Sequence, residues 1–309
     1  MQAALSATCT HETKRGIKMT STNKAFSAAA KSGTTVWAAG AYDALSAKLI
    51  EEAGFPAIMT TGFGVSASHL GQPDMELYTM SGNLDVVSKV VDAVKTPVIA
   101  DTDTGYGSAI NVMRTVRKFE RAGVAAMIFE DQVSPKRCPC VASVIEIVSI
   151  DAGAARIRAA VSARTNPDTI IVARTDSTDG EDAAKRGKAY VEAGADLIQP
   201  ISKCFSDFDG LARFREAVGV PLSLQILGWL ESDLTKDQIE QVAGLAVFPL
   251  VPLMTATMAL RENLKVLVAE KSSRNLPRDV TSMDSFRAMI GFGELEALQD
   301  EYLTDYDPD

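Results

Sequence analysis

The sequence contains few of the residues on which several common types of site depend. Its 309 residues include only two histidines, His11 and His69, and four cysteines. Two histidines are too few for a zinc site built on several of them, and a histidine-based catalytic triad is hard to assemble. The cysteines are too few and too irregularly spaced for a disulfide framework, which favours a reducing, cytoplasmic compartment.

Long apolar runs and an excess of basic residues are absent as well. No apolar run approaches the roughly 18 residues that a membrane-spanning helix needs, and the formal net charge is −9. We therefore expect neither a membrane nor a nucleic acid as a partner. Apolar residues make up 46% of the chain, which is enough for the core of a large domain.

The first 31 residues differ in composition from the rest of the chain. They are rich in alanine, serine and threonine, carry four lysines and Arg15, and contain one acid, Glu12. This composition suits a transit segment for a mitochondrial or other organelle matrix. We favour the simpler interpretation of residues 1–31 as a disordered leader, or as an extension upstream of a start at Met19.

From residue 35 onward, short apolar strands alternate with amphipathic helices, and the alternation repeats eight times. The predicted strands are Val36–Ala39, Ala57–Thr60, Val98–Asp101, Ala126–Glu130, Ile170–Arg174, Leu197–Gln199, Leu222–Gln225 and Ala246–Pro249. Eight units of this size predict the α/β class and a (β/α)₈ TIM barrel over residues 32–271. An open doubly wound sheet is the alternative, but the first strand lacks a glycine-rich phosphate fingerprint.

Local signals mark the ends of the predicted helices. Ala-Gly pairs are predicted to end helices with a left-handed glycine, at Ala53-Gly54, Ala122-Gly123, Ala193-Gly194 and Ala243-Gly244. Residues 272–309 follow the eighth helix as an extension that includes one amphipathic segment, Ser282–Leu303. A closed barrel has no place for this segment, so we expect it on the outside of the barrel or on a neighbouring subunit.

Charged residues follow three consecutive predicted strands. Asp101 and Asp103 follow the third strand, Glu130 and Asp131 end the fourth, and Arg174 ends the fifth. Catalytic groups of TIM barrels lie at the carboxyl ends of the strands, and converging carboxylates repel one another unless a cation offsets them. We therefore predict a site for Mg²⁺, with Mn²⁺ as a second possibility. The alternative is that Asp101 caps a helix and Glu130 pairs with Arg174 without a metal.

The loop after the fourth strand, residues 132–150, is too long for a routine connection and is typical of a lid. Within it, Cys138 follows Lys136 and Arg137, whose positive charges favour a thiolate suited to proton transfer or nucleophilic attack. A structural cysteine, or a soft-metal pair with Cys140, is the alternative.

These motifs resemble the isocitrate lyase/phosphoenolpyruvate mutase superfamily, over residues 40–269. The segments that carry the resemblance are Leu70-Gly-Gln-Pro-Asp74, Asp101-Thr-Asp103-Thr-Gly-Tyr-Gly107, Glu130-Asp131-Gln132, Lys136-Arg137-Cys138 and Ala173-Arg174-Thr175-Asp176. The resemblance implies a homotetramer, a dimer of dimers whose subunits exchange the C-terminal helix.

The resemblance also implies a set of ligands and catalytic residues. It implies that Asp103 holds Mg²⁺ directly and that the other metal-site carboxylates act through water, namely Asp101, Glu130 and Asp74. It places the carboxylate of a small-molecule substrate on the segment Thr61-Gly62-Phe63 and implies that Arg174 clamps this substrate. The remaining catalytic residues that it implies are Lys136 and Cys138.

The Lys-Arg-Cys motif is similar to the carbon–carbon lyase branch, which includes 2-methylisocitrate and 2,3-dimethylmalate lyases. This similarity implies cleavage of a substituted 2-hydroxy carboxylate into a 2-oxo acid and a second carboxylate, with Cys138 protonating the departing carbanion. The chain differs from the lyases at Pro139-Cys140, at Ile201 and at Gln225, where they have Gly-His, Glu and Asn. With Leu227, these differences predict a more apolar pocket for the leaving half of the substrate.

Two other functions remain open at this point. One is a phosphonopyruvate mutase or hydrolase, or an oxaloacetate hydrolase or decarboxylase, on the same Mg²⁺ site. The other is a protein that keeps the barrel without its chemistry, which the intact set of charged residues disfavours.

Overall fold

A closed barrel of eight parallel strands forms the core of this computed structural model, which describes residues 21–139 and 144–303. Each strand pairs with its neighbour in sequence, and the first also pairs with the eighth. The strands are β1 Val36–Ala41, β2 Ala57–Thr60, β3 Val98–Asp101, β4 Ala126–Glu130, β5 Ile170–Thr175, β6 Leu197–Pro200, β7 Leu222–Gln225 and β8 Ala243–Phe248. The predicted (β/α)₈ barrel is confirmed.

Helices follow the strands and bury apolar faces against the outside of the barrel, and one further helix precedes the first strand. They are α1 (residues 21–32), α2 Ala44–Glu52, α3 Gly62–Val65, α4 Met80–Ala93, α5 Ala109–Ala122, α6 Ile150–Ala163, α7 Gly180–Glu192, α8 Phe208–Val218, α9 Trp229–Ser232 and α10 Lys236–Val242. Side chains at their first turns fix several helix starts. Asp43 accepts a hydrogen bond from the amide of Ser46, and Thr235 forms a capping box with Gln238.

The strands divide their side chains between two apolar layers. In β4, Ala126 and Ile128 point into the barrel, whereas Met127 and Phe129 pack against the surrounding helices. Successive side chains of a strand point to opposite faces. The same alternation therefore decides which residue at each strand end faces the site.

The predicted ends of β2, β3, β4 and β7 are confirmed, whereas β1, β5 and β6 continue one or two residues beyond theirs. The predicted strand starts are confirmed except at β8. That strand begins at Ala243, so Ala243-Gly244 does not end a helix and this prediction is wrong. Gly244 serves close packing instead, because an added Cβ would clash with the backbone carbonyl of Ala30. The other three Ala-Gly pairs have glycines with positive φ, as predicted: Gly54, Gly123 and Gly194.

The described part of the N-terminal segment is helical. In α1, Phe26 and Ala30 are buried with the residues that fill the barrel interior. The predicted leader of residues 1–31 therefore does not extend through residues 21–31, because these residues contribute to the core. Residues 1–20, which form most of the segment considered as a transit segment, lie outside the described residues.

The chain divides into two compact units, Met1–Leu253 and Met254–Asp309. This boundary precedes the one we predicted at residue 271, so most of α11 (Val251–Glu270) belongs to the second unit. The segment predicted as one helix forms two, α12 Met283–Ile290 and α13 Phe292–Tyr302, because Gly291 takes a left-handed conformation with φ of 89°. Across the residues that the structure describes, no helix has the length and apolar character needed to span a membrane.

Candidate active site

Polar side chains converge inside the barrel where the strands end. All but one lie two residues after an apolar side chain of the barrel interior, as Glu130 follows Ile128, and the exception, Gln225, follows the buried Ser223. Strand alternation therefore directs them inward. They are Thr61, Asp101, Glu130, Arg174, Gln199 and Gln225.

The Asp101–Asp103 turn is held by backbone contacts. Asp101 accepts hydrogen bonds from the amides of Gly62, at 3.0 Å, and of Asp103, at 3.2 Å. Asp103 itself has φ of 50°, a left-handed conformation that is uncommon outside glycine. Such conformations cluster at functional sites because the surrounding structure must hold them. The predicted pair of carboxylates therefore lies in an organised turn.

Lys136 brings a buried positive charge to these carboxylates from the long loop. Its ammonium lies 3.1 Å from Asp74 Oδ1 and 2.5 Å from Asp103 Oδ1, with only 2% of the side chain exposed. Burial alone would lower the pKa of Lys136, but the surrounding carboxylates outweigh this effect and raise it well above its ordinary value. Lys136 is therefore a fixed cation in this structure.

Arg174 is the second cation of the site. It lies 3.0 Å from Glu130 Oε2 and binds Asp176 through two nitrogens, at 2.8 and 3.2 Å. Burial raises the pKa of Glu130 well above its ordinary value, although Arg174 and Lys136 oppose the shift. Asp176 is fixed in turn by Gln132, whose Nε2 donates to it at 2.5 Å.

Negative charge exceeds positive charge in this buried region. The buried carboxylates Asp74, Asp101, Asp103, Glu130 and Asp176 share two cations, the buried Lys136 and the partly buried Arg174. The pKa of Asp103 is raised to about 6, first by burial and then by repulsion from Asp101 and Asp74, against the attraction of Lys136. An additional cation would relieve this repulsion.

The chemistry of the donor set fits a hard divalent cation. Among the described residues, Glu130 Oε1 and Asp103 Oδ2 are buried without a hydrogen-bond partner of ordinary geometry. No three acidic, histidine or cysteine side chains converge as a preformed metal cluster in the described ranges. Mg²⁺ does not require one, because it usually keeps several waters and takes only one or two protein carboxylates.

Both contacts of the metal-free alternative, in which Asp101 caps a helix and Glu130 pairs with Arg174, are present in the structure. Asp101 accepts from the amide of Gly62 at the start of α3, and Glu130 pairs with Arg174. These contacts leave the unpartnered oxygens of Glu130 and Asp103 and the excess of carboxylates in place.

A cavity of about 670 Å³ opens in front of these groups. Asp74, Asp101, Arg174 and Cys138 contribute to its polar wall, and the Cys138 side chain is buried there. A second part of the lining is largely apolar and includes Phe63, Ile201, Phe205, Leu227, Trp229 and Leu250. The predicted apolar pocket at Ile201 and Leu227 is therefore present, and the cavity has the size of a small-molecule site.

Most of the other residues predicted to bind the substrate line the cavity, but one of them already contacts another part of the protein. Thr61, Phe63 and Gln225 line the cavity. The amide of Gly62, predicted to hold a substrate carboxylate, instead donates to Asp101.

Asp131 points out of the barrel, where it accepts hydrogen bonds from Tyr190 at 2.8 Å and Arg186 at 3.2 Å. Its predicted place among the converging carboxylates is wrong. Because Glu130 faces inward, its neighbour on the strand faces outward.

The segment between α3 and α4 supplies two residues that the sequence did not single out. Glu76 contacts the long loop, and the hydroxyl of Tyr78 lies among the carboxylates. A Cβ added to Gly62 would lie 2.7 Å from Tyr78 Oη, 3.1 Å from Asp101 Oδ2 and 3.3 Å from Asp103 Oδ1. The Tyr78 hydroxyl is buried without a hydrogen-bond partner among the described residues. Burial, with repulsion from Asp103, raises its pKa well above the ordinary value.

The only signal for these two residues in the sequence is their position two and four residues after Asp74. Asn83 on α4 adds support from the same region, since its side chain donates to the backbone carbonyl of Asp101 at 2.8 Å and to Tyr106 Oη at 2.7 Å.

The closed barrel, with a cavity and charged groups where its strands end, has the arrangement of a TIM-barrel enzyme active site. The family model for phosphoenolpyruvate phosphomutase matches residues 26–264, and the chain belongs to this family. It is 38% identical to 2,3-dimethylmalate lyase of Eubacterium barkeri over 274 residues, which cover 87% of this chain and 94% of the relative.

Two further relatives agree with this assignment. The chain is 34% identical to 2-methylisocitrate lyase of Salmonella typhimurium, over 89% of this chain and 95% of the relative. A crystal structure of phosphonopyruvate hydrolase in complex with oxalate and Mg²⁺ superposes with a TM-score of 0.82 at 31% identity, covering 92% of this chain and 99% of that chain. These similarities confirm the predicted superfamily and the predicted class of carbon–carbon lyase.

Proposed function

We propose that the protein cleaves the C2–C3 bond of an alkyl-substituted 2-hydroxy dicarboxylate in a Mg²⁺-dependent reaction. The products are a 2-oxo acid and a second carboxylate. The observation that carries the proposal is the shared cavity, in which Cys138 and Arg174 lie on the polar wall and Ile201 and Leu227 on the apolar one. A substrate with a charged half and an alkyl-substituted half matches these two walls.

The charged residues are proposed to bind the 2-hydroxy carboxylate end. Arg174 is fixed by Glu130 and Asp176, so its guanidinium is oriented before the substrate arrives. Thr61 and Phe63 line the same cavity and are proposed to contact this end of the substrate. When bound, Mg²⁺ would polarise the 2-hydroxyl and carboxylate oxygens and stabilise the charge that develops on them.

The residues proposed to hold the metal are Asp103 directly, with Asp101, Glu130 and Asp74 through water. The unpartnered oxygens of Asp103 and Glu130 and the excess of negative charge support this assignment. Mn²⁺ has the same preference for oxygen ligands and is the second candidate.

The proton transfers follow from the groups that line the cavity. The 2-hydroxyl loses its proton to a carboxylate of the polar wall, for which Asp74 and Asp101 are in place. The C2–C3 electron pair then leaves with C3, and the C2–O bond becomes a carbonyl. Cys138 donates its thiol proton to the C3 carbanion, which completes the second carboxylic acid. Lys136 remains an ammonium beside Asp74 and Asp103.

A substrate panel tests the proposal on the purified chain. The panel contains 2,3-dimethylmalate, 2-methylisocitrate, other alkyl-substituted malates, oxaloacetate and phosphonopyruvate, with products identified by mass spectrometry. We expect Mg²⁺-dependent release of a 2-oxo acid from an alkyl-substituted malate and loss of this release in EDTA. Turnover confined to oxaloacetate or phosphonopyruvate would refute the lyase assignment. It would support the second candidate, which the similarity to phosphonopyruvate hydrolase favours.

We also propose that the protein is a homotetramer, a dimer of dimers. Helices α11, α12 and α13 contain no buried residue in the single chain. Several of their large apolar side chains are exposed, including Leu260, Val268, Met283 and Leu295. Exposed apolar surface of this extent is typical of a subunit interface. Light scattering on the purified chain tests this state, and a monomer at micromolar concentration would refute it.

The proposed location is the cytoplasm, on the basis of the few, irregularly spaced cysteines. An organelle matrix is the alternative, and it depends on residues 1–20. Cell fractionation with an antibody to the intact chain distinguishes the two locations.

A further inference from the structure

Glu76 joins the long loop after β4 to the turn after β3. Its Oε2 accepts hydrogen bonds from Ser134 Oγ and from the backbone amide of Lys136, both at 2.8 Å. Its Oε1 accepts from Thr104 Oγ1 at 2.9 Å. One carboxylate therefore connects Thr104, which follows Asp103 in the chain, with Lys136, whose ammonium contacts Asp103.

The backbone of Glu76 has a strained conformation, and the contacts of its side chain compensate for this strain. Its φ is 57°, in the left-handed region that residues other than glycine rarely adopt. Such a conformation persists only where the surrounding contacts compensate for it, and it is common at functional sites. The three hydrogen bonds to Ser134, Lys136 and Thr104 are contacts of this kind.

The position of the Lys136 ammonium depends on the position of its backbone. The side chain passes from an amide held by Glu76 to the gap between Asp74 and Asp103, and it is buried over its whole length. Displacement of that amide would withdraw the ammonium from both carboxylates. Cys138 lies two residues further along and would move with the same loop.

We propose that Glu76 is a positioning residue that holds the loop after β4 against the site, so that Lys136 and Cys138 face the reacting groups. Glu76 does not line the cavity and acts through these two residues. The proposal rests on the proposed function for its catalytic consequence. The structural part, that Glu76 holds the loop, is tested without turnover.

Two substitutions of Glu76 distinguish the effect of its hydrogen bonds from the effect of its negative charge. Glu76→Ala removes all three contacts, whereas Glu76→Gln keeps an amide oxygen for Ser134 and Lys136 and an NH₂ group for Thr104. Ser134→Ala removes one contact at an exposed site and serves if Glu76→Ala fails to fold. Asp85→Asn is the matched surface control, because Asp85 is 62% exposed and pairs with the exposed Lys89 on the surface of α4.

Two loop measurements and one kinetic measurement are made on the full chain. Hydrogen exchange at the Lys136 amide and iodoacetamide alkylation of Cys138, both read by peptide mass spectrometry, report loop opening. We expect both rates to rise about tenfold or more in Glu76→Ala, by less in Ser134→Ala, and to stay near wild type in Glu76→Gln and Asp85→Asn. On the substrate found in the panel, kcat should fall by about 10- to 100-fold in Glu76→Ala with KM changed less than threefold. Glu76→Gln should restore kcat.

Each result has one meaning for the proposal. Unchanged exchange and alkylation in both Glu76→Ala and Ser134→Ala would overturn it, whatever the activity. Faster exchange with wild-type kcat would overturn the catalytic role of the loop position. If no substrate turns over in the wild type, the proposed function has failed, and the exchange and alkylation rates still decide whether Glu76 holds the loop.

Discussion

The ammonium of Lys136 lies 2.5 Å from Asp103 Oδ1, at the centre of the candidate site. This ion pair joins the loop after β4 to the turn after β3. Both side chains are buried, so removal of Lys136 leaves the Asp103 carboxylate without its ion-pair partner, whereas removal of Asp103 leaves Lys136 paired with Asp74. The site is therefore a coupled set of charges, and the predictions below separate the groups that act on substrate from those that support them.

Cys138→Ser should abolish most turnover while leaving ligand binding intact. A serine hydroxyl is a much weaker acid than a thiol, so we expect kcat to fall by about 10²- to 10⁴-fold. Mg²⁺-dependent binding of oxalate, measured by calorimetry, should stay within about twofold of wild type. Cys204→Ser is the matched control, because Cys204 is absent from the cavity wall and burial raises the pKa of its thiol to about 12. Equal losses of kcat in the two variants would contradict the general-acid role of Cys138.

Asp103→Asn should remove the metal dependence of ligand binding. An amide lacks the negative charge that a hard cation requires, so oxalate binding should no longer respond to Mg²⁺ in calorimetry. EDTA should produce the same loss in the wild type, and added Mg²⁺ should reverse it there but not in the variant. Asp176→Asn is a suitable comparison, because this carboxylate contacts Arg174 and Gln132 and is outside the proposed metal set. Unaltered Mg²⁺-dependent binding in Asp103→Asn would show that the metal assignment is wrong.

Two tyrosine substitutions should have opposite consequences for stability. The Tyr78 hydroxyl is buried without a partner among the described residues, so Tyr78→Phe should leave the free energy of unfolding unchanged or raise it by up to about 1 kcal/mol without metal. The Tyr190 hydroxyl donates to Asp131 at 2.8 Å, so Tyr190→Phe should lower it by about 1–3 kcal/mol. Urea denaturation in EDTA measures both. A loss in Tyr78→Phe as large as that in Tyr190→Phe would show that Tyr78 has a structural partner.

Leu227→Ala should weaken the enzyme selectively toward substrates with a large alkyl group. Removal of apolar contact from a pocket costs about 1–3 kcal/mol, so kcat/KM for the alkyl-substituted malate should fall by about 10-fold or more. The value for unsubstituted malate, if it is cleaved at all, should change little. Steady-state kinetics with the two substrates measures the difference. Equal losses for both would mean that Leu227 does not contact the alkyl group.

Much of the barrel was predictable because its signals are local. The apolar runs from β2 to β4 have the predicted bounds, and the glycines after three helices take the left-handed conformation that ends a helix. The exception at Ala243-Gly244 has a tertiary cause. There, packing of the Ala30 carbonyl requires a residue without a side chain, which in sequence looks the same as a helix cap.

Part of the candidate site was predictable for the same reason. Asp101 and Glu130 face inward because strand alternation continues from Ile99 and Ile128. The same rule applied to Asp131 would have directed it outward, where the structure places it against Tyr190. This error therefore came from an incomplete use of the sequence and not from missing information.

The sequence by itself determined the class of fold, the strand ends and the acidic and basic residues that they carry, because periodicity, turn signals and strand alternation are properties of short segments. Only the tertiary structure decided that Glu76 supports Lys136, that Tyr78 lies beside Asp101, and that the Gly62 amide is already engaged. These contacts join residues on different loops, up to 60 positions apart in the chain. Closure of the barrel brings such loops to one rim, and no local pattern records which of their side chains then meet.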